Sequence, residues 1–334
     1  MGQESLADLL GAAPDNLAVI DALGKCYQLI NSHENILASI SGGSDSDVMM
    51  DLLIRCGGKD KTTFVFFNTG LEYEATKRQI QHLNEKYGVE IQIAPPIKPI
   101  PLCVKQHGIP FWSKHVSEMM MRLQKHDFQW EDQSFEELII KYPRCKSALQ
   151  WWCNKHKGKG KKPSSFNIAY VRWLKEFIMV NPPTFKISNK CCHYAKKEPA
   201  HKYVNSNHFD LNCVGIRQAE GGVRATRYKN CYSAGLEGAD QYRPLFWFAD
   251  ADKKVYDKHY GIKHSDCYEV WGMTRTGCAG CPFNLKWKEE LILAEKYEPK
   301  FHKAMMKVFA PSYAYRLKFE KFRKEMKERA GHER

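Results

Sequence analysis

The sequence predicts an α/β protein whose parallel, twisted sheet carries helices on both faces, and three stretches carry that prediction. The apolar run 36–40 ends in a serine- and glycine-rich turn, and an amphipathic run follows it. Residues 62–67 form a β-branched and aromatic run of the length of a buried strand. A third short run covers 89–93, after a helical pattern over 74–87. Strands and helices that alternate in this way imply right-handed crossovers within one parallel sheet.

Composition and charge narrow the class of protein. The 334 residues suffice for one large α/β domain with attachments or for two small domains. A formal net charge of +13 favours an anionic partner, either a nucleotide or a nucleic acid. The basic segments at 155–162 and 316–334 either contact a nucleic acid or form solvated surface. No apolar run reaches the roughly 20 residues that span a bilayer. The N-terminus lacks the pattern of a signal peptide, so we expect a cytoplasmic protein without membrane contact.

The turn after the first strand is the candidate phosphate-binding loop. A helix that begins with small residues offers free main-chain N–H groups to an anion. The turn is not a Walker A loop, because no Gly-Lys-Ser/Thr follows it. An ordinary β–α turn is the alternative. The candidate phosphate-binding residues are Ser41, Gly42, Gly43, Ser44, Asp45 and Ser46.

A second polar turn follows the second strand, at the same edge of the predicted sheet. Its candidate residues are Asn68, Thr69, Gly70 and Glu72, with Glu72 a candidate for Mg²⁺ or ribose contact. A simple helix cap, in which Thr69 caps and Glu72 follows three residues later, is the alternative. Lys114 either reaches a phosphate or lies in solvent. The pair Trp151–Trp152 beside a lysine run either stacks on a base or packs in a local core.

Cysteines and arginines in the second half of the chain carry the remaining chemistry. Twelve cysteines in a reducing compartment favour metal binding or redox chemistry over disulfides. A vicinal pair and a distant CxxC supply thiolates that zinc and iron–sulfur clusters both accept, although CxxC alone also suits a redox pair. The metal-ligand candidates are Cys191, Cys192, Cys278 and Cys281, with Cys213, Cys231 and Cys267 as substitutes. Between the pairs, Arg217 and Arg224 lie in a glycine-containing turn that either grips a phosphate or sulfate or forms a surface turn.

Six motifs together resemble the phosphoadenylyl-sulfate (PAPS) reductase-like family of the PP-loop superfamily, in its cysteine-rich form. They read SGGSDS, NTGLEYE, GIPFWSK, FKISNKCC, GIRQAE and RTGCAGCPF, between about residues 35 and 283. The resemblance implies a Rossmann-like PP-loop domain over 34–285, with a basic, aromatic insertion at 129–165 and a cysteine-rich lobe at 186–285. A helical lead-in at 1–33 precedes this domain, and basic C-terminal helices at 286–334 follow it. The implied cofactors are ATP or PAPS, Mg²⁺ and a [4Fe–4S] cluster on the CC…CxxC cysteines, with zinc as the alternative metal.

The resemblance leaves three functions open. The first is an ATP pyrophosphatase that adenylylates its target and transfers sulfur through the cluster, with a nucleic acid as one candidate target. Asp45, Arg217 and Arg224 would serve catalysis there, and a sulfur donor or thioredoxin-like protein would be the partner. The second is a sulfonucleotide reductase. No cysteine follows Cys281 in this sequence, whereas such reductases carry a nucleophilic cysteine in a C-terminal Glu-Cys-Gly segment, so we expect the first reaction. The third is a non-catalytic nucleotide- and nucleic-acid-binding protein with structural zinc.

Overall fold

The computed structural model describes residues 5–158, 160, 163–221, 227–235 and 238–332. Its strands are β1 (Ile36–Ser39), β2 (Thr62–Phe67), β3 (Gln92–Ala94), β4 (Leu211–Val214), β5 (Tyr232–Ser233) and β6 (Asp240–Tyr242). Its helices are α1 (Leu6–Gly11), α2 (Leu17–Ser32), α3 (Ser44–Leu53), α4 (Glu74–Tyr87), α5 (Ile100–His107), α6 (Lys114–Gln124), α7 (Phe135–Lys141), α8 (Lys146–Trp152), α9 (Leu174–Val180), α10 (Lys190–Cys192), α11 (Glu198–Ser206), α12 (Asp250–Tyr260), α13 (Asp266–Glu269), α14 (Trp287–Tyr297) and α15 (Pro299–His332).

The strands form one six-stranded, mostly parallel sheet in the order β3–β2–β1–β4–β6–β5, which confirms the predicted fold class. Only the pairing of β5 with β6 is antiparallel among these strands. The chain moves outward from β1 through β2 to β3, and later returns to the other side of β1 as β4. The order therefore reverses at β1, and ligands of open α/β sheets bind beyond the carboxyl end of such a strand.

The third strand begins later than the sequence pattern indicates, at Gln92 instead of Val89. Gly88 closes α4 in a left-handed conformation with φ of 58°. The main-chain N–H of Val89 then donates to the Asn84 carbonyl at 3.2 Å, and that of Ile91 donates to Asn84 Oδ1 at 2.9 Å. These residues complete the end of the helix, so they do not pair with β2.

The chain divides into two compact units. Unit 1 comprises Met1–Ile97 and Ala195–Ala279, and unit 2 comprises Lys98–Tyr194 and Gly280–Arg334. Unit 1 contains the whole sheet, whose central strands pack against α2, α3 and α12. Within the described residues, no helix combines the length and the apolar character that crossing a bilayer requires.

Unit 2 has an aromatic core, and that core settles the role of the paired tryptophans. Trp151 and Trp152 are fully buried together with Phe111, Phe177 and Phe319. The indole N–H of Trp152 donates to a main-chain carbonyl at 2.9 Å, which satisfies its polar atom inside the core. Neither ring is accessible to a base, so packing in a local core is the correct interpretation of this pair.

Candidate functional site

The turn between β1 and α3 is tight because two glycines form it. Gly42 has φ of 63°, and a Cβ there would lie 2.8 Å from the Thr76 Cγ2 atom. Gly43 precedes the first residue of α3 and receives no side-chain cap. Ser46 closes the turn, because its hydroxyl donates to the Gly43 carbonyl at 2.7 Å and accepts from the Ser41 N–H at 3.2 Å.

A cavity of about 370 Å³ opens at this turn, within unit 1. Polar and charged residues dominate its lining. They come from the residues after β1 and β4, from the starts of α3 and α12, and from α13 and the segment after it. The lining residues are Ser41, Gly43, Ser44, Asp45, Ser46, Gly215, Arg217, Ala219, Glu220, Asp250, Tyr268, Thr274, Arg275 and Thr276. The structure thus brings four of the six predicted loop side chains, the Gly43 main chain and Arg217 together, while Gly42 shapes the turn from behind.

Arg217 is held in this cavity by two carboxylates. Its Nε atom lies 3.0 Å from Asp45 Oδ1, and its Nη1 atom lies 2.8 Å from Asp250 Oδ1. Burial opposes the charge of Arg217, but the hydrogen bonds to Asp250 and Asp45 outweigh burial and raise its pKa. The guanidinium in turn holds the pKa of Asp250 below its usual value. Gly215 permits this approach, since a Cβ there would lie 3.2 Å from the Asp45 carbonyl carbon.

Sequence reasoning missed the wall that α13 and the segment after it supply. The Tyr268 hydroxyl lies 2.9 Å from Thr276 Oγ1, accepts from the Thr276 N–H at 3.1 Å, and also accepts from the main-chain N–H of Ser44. Burial raises the pKa of Tyr268. Arg275 lines the cavity while exposed, and within the described part of the chain it makes no ion pair with a carboxylate. The signal was present in RTGCAGCPF, whose arginine and threonine precede the cysteines.

A buried charged network lies behind the loop, on α3. Asp47 is fully buried, and its Oδ2 atom lies 3.0 Å from His264 Nδ1 and accepts from Gln79 Nε2 at 3.0 Å. The other ring nitrogen of His264 lies 3.2 Å from Asp257 Oδ2. Burial raises the pKa of Asp47. Burial lowers the pKa of His264, but the hydrogen bonds to Asp257 and Asp47 outweigh it and raise the pKa to about 9. The imidazolium therefore ties α3 to α12.

The second predicted turn forms, but its residues are not among those that line the cavity. The Asn68 Oδ1 atom accepts from the Gly70 N–H at 2.8 Å, and the Thr69 hydroxyl donates to Glu72 Oε1 at 2.5 Å. Burial raises the pKa of Glu72. The helix-cap interpretation of Thr69 was wrong, because α4 begins only at Glu74 and the turn is complete before it.

Two other predicted residues are not among the described residues that line the cavity, for different reasons. Lys114 belongs to unit 2, where it is the first residue of α6 and its main-chain oxygen accepts from Asn189 Nδ2 at 3.0 Å. Arg224 lies outside the described residues, which omit 222–226. The role of Arg224 stays a prediction.

The metal-ligand candidates are distributed over both units. All twelve cysteines lie in the described residues, and none of them forms a disulfide. Cys213 is a core residue at the centre of the sheet, where burial raises the pKa of its thiol. Within the described ranges, no group of three or more His, Cys, Asp or Glu side chains is gathered closely enough to hold a metal ion. Cys231, Cys267 and Cys278 belong to unit 1, and Cys191, Cys192 and Cys281 belong to unit 2.

The turn that carries Cys281 is rigidly supported within unit 2. Gly280 has φ of 62°, and a Cβ there would lie 2.8 Å from the Tyr313 hydroxyl. The Gly280 N–H donates to Glu290 Oε1 at 2.9 Å, and the Tyr313 hydroxyl donates to the Gly280 carbonyl. Arg316 is buried between two indoles and donates to the Asn284 carbonyl at 3.0 Å. This glycine-dependent cradle around a cysteine suits a thiolate that ligates a metal.

Comparisons with known proteins agree with this fold. The model of the phosphoadenosine phosphosulfate reductase domain matches residues 35–140, which include β1, the phosphate-loop candidate and α4. An uncharacterised protein of Methanocaldococcus jannaschii is 23% identical over 258 residues, or 75% of this chain. The chain spans 38% of the length of that relative.

Three solved structures match this chain at low sequence identity. PAPS reductase from Candida auris, in a phosphate complex, has 14% identity and a TM-score of 0.42, covering 83% of this chain and 96% of its own. NH3-dependent NAD synthetase from Campylobacter jejuni, with nitrate, has 9% identity and a TM-score of 0.36, covering 93% of this chain and 96% of its own. U34-tRNA thiolase from Methanococcus maripaludis, with its [4Fe–4S] cluster, has 12% identity and a TM-score of 0.36, covering 89% of this chain and 78% of its own.

Proposed function

We propose that this protein is a PP-loop enzyme that binds ATP in the cavity of unit 1, adenylylates an acceptor and supports sulfur transfer to it. The observation that carries the proposal is the cavity at the β1–α3 turn. A helix N-terminus, a glycine turn and two arginines meet there. The N–H of Gly43 contacts Ser41 Oγ at 3.3 Å, and that of Ser44 contacts the Tyr268 hydroxyl. A phosphate oxygen is a stronger acceptor for both N–H groups.

The carboxylates of the cavity favour a nucleotide that arrives with Mg²⁺. The cavity is lined by the carboxylates of Asp45, Glu220 and Asp250. These carboxylates would repel a triphosphate unless a divalent cation lay between them. Asp45 and Asp250 each give one oxygen to Arg217 and have a second oxygen for the metal. Mg²⁺ held by these two residues would neutralise the phosphates and make pyrophosphate a better leaving group.

The reaction is an in-line displacement at the α-phosphorus of ATP. An acceptor oxygen forms a bond to that phosphorus, the bond to the bridging oxygen of the β-phosphate breaks, and pyrophosphate leaves with the electron pair. Arg217 and Arg275 stabilise the charge that develops on the phosphoryl oxygens. A sulfide-level nucleophile from a sulfur donor then attacks the activated carbon of the acceptor, and AMP leaves.

The cysteines would hold the group that handles sulfur. Four thiolates suit both a [4Fe–4S] cluster and zinc. The sequence pattern proposes Cys191, Cys192, Cys278 and Cys281 as the ligands, while the described residues contain no group of three or more metal-ligating side chains close enough to hold a metal ion. A cluster would supply a site that accepts sulfide and passes it on. Supporting evidence is the buried cradle of Gly280, Tyr313 and Arg316 around the last of these cysteines.

Pyrophosphate release from ATP tests the reaction. The Asp250→Asn variant should release pyrophosphate about tenfold more slowly or worse, because a cavity carboxylate loses its charge. Asp21→Asn is the control for the loss of one carboxylate charge, since Asp21 is exposed on α2 of the same unit and does not line the cavity. Absence of ATP binding by the wild-type protein, or equal loss in both variants, would overturn the proposal.

A sulfonucleotide reductase is the second candidate, supported by the match of residues 35–140 to the PAPS reductase domain. Thioredoxin-dependent sulfite release from PAPS, without pyrophosphate release from ATP, would establish it instead. Zinc in place of iron and sulfide, with nucleotide binding but neither reaction, would establish the non-catalytic alternative.

A further inference from the structure

The excess of positive over negative residues lies entirely in unit 2. Unit 2 contains 31 Lys and Arg residues against 15 Asp and Glu, a formal net charge of +16 with histidine neutral. Unit 1 contains 20 Lys and Arg residues against 23 Asp and Glu, a formal net charge of −3. The candidate nucleotide cavity therefore does not account for the basic character of the protein. A charge of this size on one unit favours a partner with many negative charges.

Part of that charge converges on a second cavity. A cavity of about 260 Å³ in unit 2 lies between the end of α6 and the segment that leads into α8. Its lining residues are Arg122, Lys125, His126, Arg144, Cys145, Ser147 and Ala148. Among these described lining residues there is no Asp or Glu. Cys145 and Ala148 are buried and belong to the aromatic core, so the cavity has a fixed floor.

The α6 end explains only some of these cations. Lys125 follows the last turn of α6, where a cation offsets the negative end of the helix dipole, and His126 is the next residue. Arg122 pairs with Glu118 one turn earlier. Arg144 comes from the opposite wall, in the short helical turn before α8, and the α6 dipole does not require it. Cations from two separate elements around one concave space are typical of an anion-binding site.

We propose that unit 2 binds the phosphodiester backbone of a nucleic acid, with one phosphate seated in the cavity of Arg122, Lys125, His126 and Arg144. This inference goes beyond the proposed function and does not depend on it. A net charge of +16 exceeds what a single phosphate requires, which favours a polymer. Phe166 and Tyr170 are about 60% exposed on the same unit, and exposed aromatic rings suit the stacking of bases.

The cavity is a better candidate than the basic C-terminal segment. Arg316 is buried and bonded to main-chain oxygens there. Lys321 and Lys324 each lie 4.0 Å from the glutamate four residues later. Arg316, Lys321 and Lys324 therefore already have partners, whereas no Asp or Glu is among the described residues that line the cavity. The segment 155–162 lies only partly within the described residues, so it adds no argument here.

Binding of a fluorescein-labelled single-stranded oligoribonucleotide to the full chain tests the proposal. Arg144→Gln should weaken binding about fivefold near 0.1 M salt and lower the slope of log affinity against log salt by about 0.7, the value for one lost phosphate contact. Lys125→Gln tests the other wall and should have a similar effect. Lys146→Gln is the matched control, because Lys146 is exposed two residues from Arg144 but does not line the cavity.

The outcomes separate the ligand classes and the two proposals. Tighter binding of the oligonucleotide than of inorganic phosphate, polyphosphate of matched charge or phosphatidylserine vesicles supports a nucleic acid. Equal or tighter binding of any of these three overturns it. Equal losses in Arg144→Gln, Lys125→Gln and Lys146→Gln would show general charge attraction without a site. ATP binding measured on the same variants should match wild type, so failure of the nucleotide proposal is recognised independently.

Discussion

The link between His264 and the phosphate-loop helix gives a quantitative prediction for the variant His264→Gln. In the wild-type protein the imidazole lies between Asp47 and Asp257, at 3.0 and 3.2 Å from their carboxylate oxygens. Glutamine keeps a side chain that donates and accepts hydrogen bonds, but it removes the positive charge. The buried Asp47 carboxylate then loses its cationic partner.

The sign and size of the effect follow from the pKa. The pKa of His264 rises to about 9 from the ordinary value of 6.5. Because the folded-state pKa is raised, the stabilisation is fully present below pH 6.5 and is lost as the pH rises through about 9. A rise of this size corresponds to about 3 kcal/mol at most, and the cost of burying the Asp47 carboxylate offsets part of it. We therefore expect His264→Gln to lower the free energy of unfolding by about 1–3 kcal/mol near pH 6.

Two measurements check this expectation. Urea unfolding of both proteins should give a difference in free energy that shrinks between about pH 6.5 and pH 9.5. An NMR titration of the imidazole should place its midpoint near 9. His259→Gln is the control, because His259 is bonded to the Ala12 carbonyl instead of a carboxylate, and it should cost less than about 0.5 kcal/mol. A midpoint near 6.5, or a difference that grows with pH, would refute the reasoning.

Three further substitutions probe the loop, the cavity and the cysteine turn. Gly42→Ala should lower the unfolding free energy by about 1–3 kcal/mol and weaken ATP binding, because Gly42 has a positive φ and a Cβ there would meet Thr76. Gly11→Ala is the control, because a Cβ at Gly11 meets no other atom, and it should change neither quantity. Calorimetry measures the unfolding free energy and the ATP affinity of both variants. Arg217→Gln should weaken Mg–ATP binding about tenfold, and equilibrium dialysis that shows no change would exclude a phosphate contact. Arg316→Met should loosen the turn around Cys281, because the hydrogen bond from Arg316 to the Asn284 carbonyl is lost. A chelator should then remove bound iron or zinc severalfold faster than from the wild-type protein. Lys318→Met, at an exposed position, is the control, and equal rates of metal loss in the two variants would contradict this prediction.

The sheet was predictable because its central strands are parallel and buried, and such strands have a continuous apolar, β-branched and aromatic composition. Thr62–Phe67 is observed with the bounds that the sequence indicated, and so is the helix Glu74–Tyr87. The start of β3 was not predictable, because Asn84 draws the preceding residues into the end of α4 through contacts that composition does not reveal. The assembly of unit 2 from 98–194 and 280–334 is likewise set by long-range packing of aromatic rings.

The site was predictable where one segment forms it and not where distant segments meet. The loop motif located a turn that lines a cavity, because the glycines and serines that shape such a turn are neighbours in the sequence; phosphate binding by Ser41–Ser46 stays a prediction. Asp250, Tyr268 and Arg275 reach the same cavity from later segments. Arg275 lies in the RTGCAGCPF motif, but neither that motif nor the sequence around Asp250 and Tyr268 shows which cavity these residues would line. The second turn shows the reverse case, since Asn68–Glu72 has a family-like sequence but bonds within itself.

The central claim is that nucleotide phosphates bind at the start of α3. A crystal structure grown with Mg²⁺ and α,β-methylene-ATP measures this directly. The account predicts phosphate oxygens within about 3 Å of the main-chain nitrogen atoms of Gly43, Ser44 and Asp45, with Arg217 or Arg275 in contact. Clear density for the nucleotide elsewhere on the protein, with the turn between β1 and α3 free of phosphate, would contradict it.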